Sequence, residues 1–148
     1  MILSSEKFEK EQPIPSKYSC DGDDVNPPLQ IAEVPRGTKS LALVVDDPDS
    51  PSGTWTHWTV WNIPPETTEI REDSVPVGAV EGITTFGKKG YGGPCPGSGV
   101  HRYFFKLFAL DEVLDIPFNV DAKVLAEEIA THTIEKAELM GMYGRGGV

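Results

Sequence analysis

Two stretches in the first half of the chain have hydrophobic patterns typical of β-strands. Residues 40–45 (SLALVV) form a short apolar run between PRGTK and the turn-forming DDPDSP, which predicts a buried strand bounded by turns. Residues 55–62 (WTHWTVWN) are rich in aromatic and β-branched residues, which predicts a second strand. Its two-residue period places one group of side chains on a common face: Trp55, His57, Thr59 and Trp61. Trp58 and Val60 are expected on the opposite face.

A third strand is predicted at residues 101–110 (HRYFFKLFAL). Its alternation puts four side chains on one side: His101, Tyr103, Phe105 and Leu107. The other side receives the residues between them: Arg102, Phe104, Lys106 and Phe108. Since side chains two residues apart on a strand project in the same direction, about 7 Å apart, His101 and Tyr103 are expected to face the same surroundings.

The pattern becomes helical after Asp121, which is a suitable N-cap. Small and apolar residues recur there at helical spacing: Ala122, Leu125, Ala126, Ile129 and Ala130. Beyond Thr133 the pattern is ambiguous, because residues 134–143 are compatible with a continued helix or with another strand. The final GRGGV is expected to fray.

These elements predict a mainly β protein, built as an antiparallel β-sandwich or a related two-layer architecture with one or two peripheral helices. The 15 glycines and 13 prolines are spread along the chain and indicate many short elements joined by turns. No repeat, linker or charge block divides the sequence, and its length suits one core. We therefore predict a single domain over residues 1–148.

Charge and cysteine content narrow the function classes. A formal net charge of −10 repels nucleic acid and anionic membrane surfaces as a whole, so an anion would have to be captured locally. No apolar run approaches the roughly 18 residues of a membrane span, and a cytoplasmic location is expected. In a reducing cytosol Cys20 and Cys95 are expected as free thiols, although a fold that brings them together would allow a disulfide.

Three turn or turn-to-strand segments concentrate residues that can bind a ligand: DDPDSP, WTHW, and YGGPCPGSG running into HRYFF. His57, His101 and Tyr103 offer directional hydrogen-bond donors, and glycines before His101 let backbone N–H groups approach an anion. Taken singly, each feature also fits a structural role as an acidic turn, a sharp glycine turn or a core aromatic. Together they predict a pocket for a compact anion such as phosphate.

The same motifs resemble a known family. DDPDSP, WTHW and GGPCPGSGVHRYFF are similar to the two signature regions of the phosphatidylethanolamine-binding protein family, in its short bacterial and archaeal branch of Raf kinase inhibitor-like proteins. KYSCDGDDVNPPL, FALD and AELMGMYGR resemble that branch too, so the resemblance covers nearly the whole chain. It implies an antiparallel β-sandwich with a pocket for phosphate, acetate or phosphorylated headgroups, and a strand around residues 137–143.

Transferred position by position, the resemblance implies a set of anion-binding residues: Asp47, His57, Gly93, His101 and Tyr103. Gly93 would contribute through its backbone, and Trp55 and Pro94 would form the pocket wall. No cofactor or metal is implied. The extra C-terminal helix of longer eukaryotic members has no counterpart before GRGGV, so a more open pocket is expected.

Asp47 is the unexpected member of this set, because an ionised carboxylate repels phosphate. We hypothesise that it accepts an N–H from a pocket histidine, which fixes the tautomer of that ring and raises its affinity for a proton.

Three alternatives to simple ligand binding remain open. A hydrolase would require Ser98, His101 and Asp47 to act together, but the sequence has no G-x-S-x-G elbow. One aspartate and two histidines match a mononuclear metal triad in type but not in spacing. Inhibition of a partner kinase or protease would use rim loops such as residues 49–54, and a homodimer is also compatible with the sequence.

Overall fold

The computed structural model describes residues 1–145 of the chain. The strands in this range are β1 (Ile2–Ser4), β2 (Leu29–Ala32), β3 (Ser40–Asp47), β4 (Trp55–Ile63), β5 (Glu69–Ile70), β6 (Val80–Glu81), β7 (Val100–Leu110) and β8 (Thr133–Gly144). The helical elements are a 3-10 turn (Ser16–Tyr18) and α1 (Ala122–His132). The three strands predicted from hydrophobic patterns correspond to β3, β4 and β7.

The strands form two antiparallel sheets, which confirms the prediction of a mainly β fold. One sheet has the order β1-β2-β5, and the other has the order β6-β4-β3-β7-β8. The main core lies between them, where Leu29 and Ile31 of the small sheet pack with Leu43, Phe105 and other buried residues of the large sheet. A smaller apolar cluster on the outer face of the large sheet is covered by α1.

β7 follows the predicted alternation along its length. Tyr103, Phe105 and Leu107 are buried in the core between the sheets. Lys106 and Phe108 lie on the other face, where Lys106 Nζ is 3.0 Å from Asp46 Oδ2 and Phe108 packs near α1. Pairing with β3 is regular, and pairing with β8 is regular as far as Ala109, so the two-residue period is kept intact.

The predicted faces of β4 are wrong beyond His57. Val45 of β3 pairs with Trp58, but the next residue, Asp46, pairs with Thr56, so His57 is an extra residue in a β-bulge. After the bulge the faces are exchanged, and Trp58 is buried in the core between the sheets. Trp61, expected on the same face as His57, packs instead in the cluster under α1.

The C-terminal helix and strand resolve the ambiguous part of the sequence. The Asp121 side chain accepts a hydrogen bond from the Lys123 backbone N–H, as expected for an N-cap, and Leu125 and Ile129 are the buried residues of α1. The predicted apolar stripe is narrower than expected, because its three alanines are not buried: Ala122, Ala126 and Ala130. Residues 134–143 lie in β8, which confirms the strand implied by the family resemblance.

Residues 146–148, which belong to the tail expected to fray, lie outside the described residues. Within residues 1–145 no helix is long and apolar enough to cross a membrane.

The expectation of free thiols is wrong, because Cys20 and Cys95 form a disulfide with their Cα atoms 5.4 Å apart. The two loops that carry them also approach closely through their backbones. The Cys20 backbone N–H donates to the Pro94 carbonyl at 3.1 Å, and a Cβ atom at Gly93 would lie 2.2 Å from the Tyr18 carbonyl oxygen. The absence of a side chain at Gly93 therefore permits the contact that brings the cysteines together.

Candidate functional site

A cavity of about 150 Å³ lies where three strand ends meet. Because β3 is antiparallel to both β4 and β7, its last residue lies beside the first residues of those two strands. Five of the seven residues predicted for the pocket line this cavity: Asp47, Trp55, His57, His101 and Tyr103. The turn at Ser50 and Pro51, the ring of Phe86 and residues 95–97 complete its walls.

Gly93 and Pro94, also predicted for the pocket, lie outside this cavity lining. The Gly93 backbone N–H donates to Asp24 Oδ1 at 2.7 Å, so it is not available to an anion in the cavity. Pro94 is buried, and its carbonyl accepts the Cys20 N–H. The structure therefore contradicts the prediction that Gly93 and Pro94 line the pocket. Their backbone groups instead join the loop before β7 to the N-terminal segment. Pro96 takes the wall position expected of Pro94.

Asp47 holds the imidazole of His101. Its carboxylate is buried, and Oδ2 lies 2.7 Å from His101 Nδ1 while Oδ1 accepts the Asp49 backbone N–H at 2.7 Å. A carboxylate can only accept, so the His101 proton lies on Nδ1 and Nε2 is left without this partner. The contact that we hypothesised for Asp47 is thus present, with His101 as the histidine.

His57 is held by the backbone in a similar way. Its Nδ1–H donates to the Gly92 carbonyl at 2.6 Å, and the Gly92 N–H donates back to the His57 carbonyl at 2.9 Å. Burial lowers the pKa of His57 below its ordinary value, although its hydrogen bonds to the 92–93 backbone and the charge of Asp47 act in the opposite direction. The neutral ring therefore has a lone pair at Nε2, where the sequence suggested a donor.

Tyr103 and Trp55 contribute two further polar atoms. Tyr103 Oη and Trp55 Nε1 are buried and have no hydrogen-bond partner among the described residues. Burial, and then the negative charges of Asp47 and Asp49, raise the pKa of Tyr103 against the opposing effect of the nearby Cys95 backbone, so the hydroxyl stays protonated and able to donate. Buried donors rarely lack a partner, and both of these belong to residues that line the same cavity.

An ion pair that the sequence did not suggest fixes the loop after β3. Arg102 donates to Asp49 through Nη2 at 2.8 Å, Nε at 3.0 Å and its backbone N–H at 2.9 Å. The hydrogen bonds from Arg102 lower the pKa of Asp49 to about 2. Since the Asp49 backbone N–H also binds Asp47, this pair helps to orient the carboxylate that holds His101.

Phe86 is a second residue that sequence reasoning missed. Its ring packs edge-on against Trp55 and His57, with centroid distances of 5.4 and 5.2 Å. The sequence signal was weak, because the two aromatic residues of the glycine-rich ITTFGKKGYGG, Phe86 and Tyr91, follow neither a strand nor a helix period.

The hydrolase and metal hypotheses share Asp47 and His101, which line the cavity together with His57. Ser98 is exposed and does not line the cavity. Among residues 1–145, no group of three or more His, Cys, Asp or Glu side chains could hold a metal ion.

Comparison with known proteins gives consistent matches over almost the whole chain. The sequence model of the phosphatidylethanolamine-binding protein family matches residues 4–144. A UPF0098 protein of Methanothermobacter thermautotrophicus is 46% identical over 151 residues, covering 99% of this chain and 100% of that protein. The crystal structure of a putative phosphatidylethanolamine-binding protein homolog from Chlamydia trachomatis is 43% identical with a TM-score of 0.93, covering 98% of this chain and 97% of that one. YbcL of Escherichia coli, described as a member of the mammalian family, is 32% identical with a TM-score of 0.91, covering 97% and 98% of the two chains.

Proposed function

This chain belongs to the phosphatidylethanolamine-binding protein family, whose membership supports a ligand-binding role, and we propose that its cavity binds a compact oxyanion such as the phosphate group of a small phosphorylated ligand. The observation that carries this proposal is the set of uncommitted polar atoms contributed by the cavity lining. Tyr103 Oη and Trp55 Nε1 have no partner within residues 1–145, and each pocket histidine has its Nδ1 engaged, which leaves Nε2 for a ligand. A tetrahedral oxyanion could satisfy all four.

The protonation states suggest how charge is balanced. Tyr103 and Trp55 donate to the anion directly. His101, when protonated, donates from Nε2 while Asp47 compensates its charge at Nδ1. Neutral His57 can only accept at Nε2, so it suits an oxyanion that carries a proton, such as hydrogenphosphate or a monoprotonated phosphomonoester. A fully ionised anion would require His57 to take up a proton.

We propose binding without chemical turnover. Besides Tyr103, the cavity lining has a hydroxyl at Ser50, and its Oγ is 3.2 Å from Ser52 Oγ. A histidine-activated serine would need its hydroxyl within hydrogen-bond distance of a ring nitrogen, and among the described residues Ser50 forms no hydrogen bond to His57 or His101. Inhibition of a kinase or protease through residues 49–54, and a homodimer, stay predictions of the sequence.

We propose that the protein is cytoplasmic. The disulfide restricts the kinds of cytoplasm in which it could persist. Disulfides are rare in reducing cytosols but occur in intracellular proteins of hyperthermophiles. The Cys20–Cys95 bond therefore requires a compartment or a cell in which such a bond persists.

Replacing Tyr103 by Phe tests the proposed function by removing one donor while the ring that contacts His57 stays in place. We expect the affinity for sulfate to fall by about 1.5–3 kcal/mol, the contribution of one hydrogen bond to a charged group, with little change in thermal stability. Isothermal titration calorimetry with sodium sulfate measures the change.

Tyr18→Phe is the matched control, because the Tyr18 hydroxyl donates to Glu72 Oε1 and does not line the cavity. This variant should bind sulfate like the wild type. Loss of stability in Tyr103→Phe with unaltered affinity would assign the hydroxyl a structural role and contradict the proposal.

A further inference from the structure

A second, larger cavity adjoins the candidate anion site. It has a volume of about 480 Å³, and its lining shares Phe86 and Cys95 with the smaller cavity. The two spaces are therefore separated by one side chain and one end of the disulfide.

Phe86 forms the wall between them. A Cβ atom at Gly92 would lie 2.6 Å from the Phe86 ring, so the ring rests directly on the Gly92 backbone, whose carbonyl holds His57. Phe86 is 40% exposed, so one side of the ring borders solvent and leaves room for the side chain to turn. The backbone of the turn that carries Phe86 is held in place, since the Thr84 N–H donates to the Lys88 carbonyl at 2.9 Å.

The lining of the larger cavity includes two positively charged side chains, although the protein as a whole is acidic. Lys88 and Lys89 both line it and, within residues 1–145, neither forms an ion pair, although the chain as a whole has a net charge of −10. The Lys89 ammonium lies 5.3 Å from the centre of the Phe118 ring, which leaves Lys88 as the uncommitted cation of this lining. On another wall, Asp24 carries a negative charge, but its Oδ1 already accepts the Gly93 N–H.

We infer that the larger cavity receives the organic part of the phosphorylated ligand, and that this part carries a second negative group directed to Lys88. The inference rests on the proposed function, since the first group must be held by His57, His101 and Tyr103. The ligand class is then a small phosphomonoester with a carboxylate or a second phosphate a few bonds from the first. Lys88 is the residue that selects it, and Phe86 turns aside to let the two cavities join.

Three probes with the same two-carbon skeleton separate the possible second groups: ethyl phosphate, phosphoethanolamine and phosphoglycolate. Phosphoglycolate is expected to bind about two- to fivefold more tightly than ethyl phosphate, the range for an exposed ion pair, and phosphoethanolamine no more tightly than ethyl phosphate. The preference for the carboxylate should disappear near 1 M NaCl, where charges are screened within about 3 Å.

Lys88→Gln should remove the carboxylate preference and leave the affinity for ethyl phosphate unchanged. Lys123→Gln, at an exposed position of α1, is the matched control and should keep the preference. Ethyl phosphate binding without a carboxylate preference would overturn this inference alone. Tighter binding of phosphoethanolamine would assign the second group to Asp24 and also overturn it. Failure of all three probes and of sulfate to bind would instead contradict the proposed function.

Discussion

Replacing Asp47 by Asn is expected to weaken sulfate binding near neutral pH by roughly tenfold to a hundredfold, which corresponds to the loss of about 1.5–3 kcal/mol for a hydrogen bond involving charged groups. Asp47 uses both carboxylate oxygens as acceptors, one for His101 Nδ1 and one for the Asp49 N–H. An amide has only one oxygen, so the substituted side chain could satisfy just one of these two donors, and it would not compensate the charge of a protonated His101. Calorimetric titration with sulfate at pH 7 measures the change.

The opposing effect is the removal of a negative charge close to an anion, which by itself would strengthen binding. Asp46→Asn controls for the change in net charge, because Asp46 is the adjacent residue and its carboxylate pairs with Lys106 away from the cavity lining. We expect this control to bind sulfate with nearly the affinity of the wild type. Unchanged or tighter binding by Asp47→Asn would show that repulsion outweighs the orientation of His101.

Removal of the disulfide is expected to have the largest effect on stability. The bond joins residues 75 positions apart, and closing a loop of that length lowers the entropy of the unfolded chain by an amount worth about 4 kcal/mol. The double variant Cys20→Ser, Cys95→Ser should therefore unfold at a temperature lower by roughly 10 °C. Thermal unfolding followed by circular dichroism, with and without reductant, measures this difference.

Reductant provides the internal control for that experiment. It should lower the midpoint of the wild type towards that of the double variant and leave the variant unchanged. Equal midpoints for the oxidised wild type and the double variant would mean that the contact between the two loops holds without the bond. Such a result would transfer the stabilising role to the hydrogen bond from Cys20 to Pro94 and the close packing at Gly93.

The strands could be predicted from sequence where their period is regular. Along β7 the alternation placed His101 and Tyr103 on one side, and their ring centroids lie 6.4 Å apart in the structure. Along β4 the same reasoning failed after His57. A bulge depends on how β3 and β4 pair, so it cannot be recognised from the hydrophobic pattern of β4 alone. The bulge matters for the site, since it places His57 beside Tyr103 while Trp58 is buried next to it.

The candidate site was predictable to the extent that its residues belong to short motifs. Asp47, His57, His101 and Tyr103 are brought together by the ends of adjacent strands. The loop before β7 was harder, because contacts with distant segments decide where its backbone points. Gly93 is engaged by Asp24, 69 residues away in sequence. The expectation of free thiols was wrong for the same reason, since long-range packing of the loops brings the cysteines together.

The binding of an oxyanion by His57 and His101 is tested most directly by the pH dependence of sulfate binding between about pH 5 and pH 8. Calorimetry in two buffers of different ionisation enthalpy gives the number of protons taken up or released on binding. Sulfate is the cleaner probe, because phosphate itself gains a proton near pH 6–7. Burial holds the pKa of His57 below its ordinary value of about 6.5, so neutral His57 cannot donate to sulfate until it is protonated. By linkage, an anion that prefers the protonated ring must take up protons when it binds. We predict affinity that rises as the pH falls, net proton uptake, and a flat profile for the double variant His57→Gln, His101→Gln. Sulfate affinity that is independent of pH, with no proton uptake by the wild type, would contradict the role of both histidines as ligands of the anion.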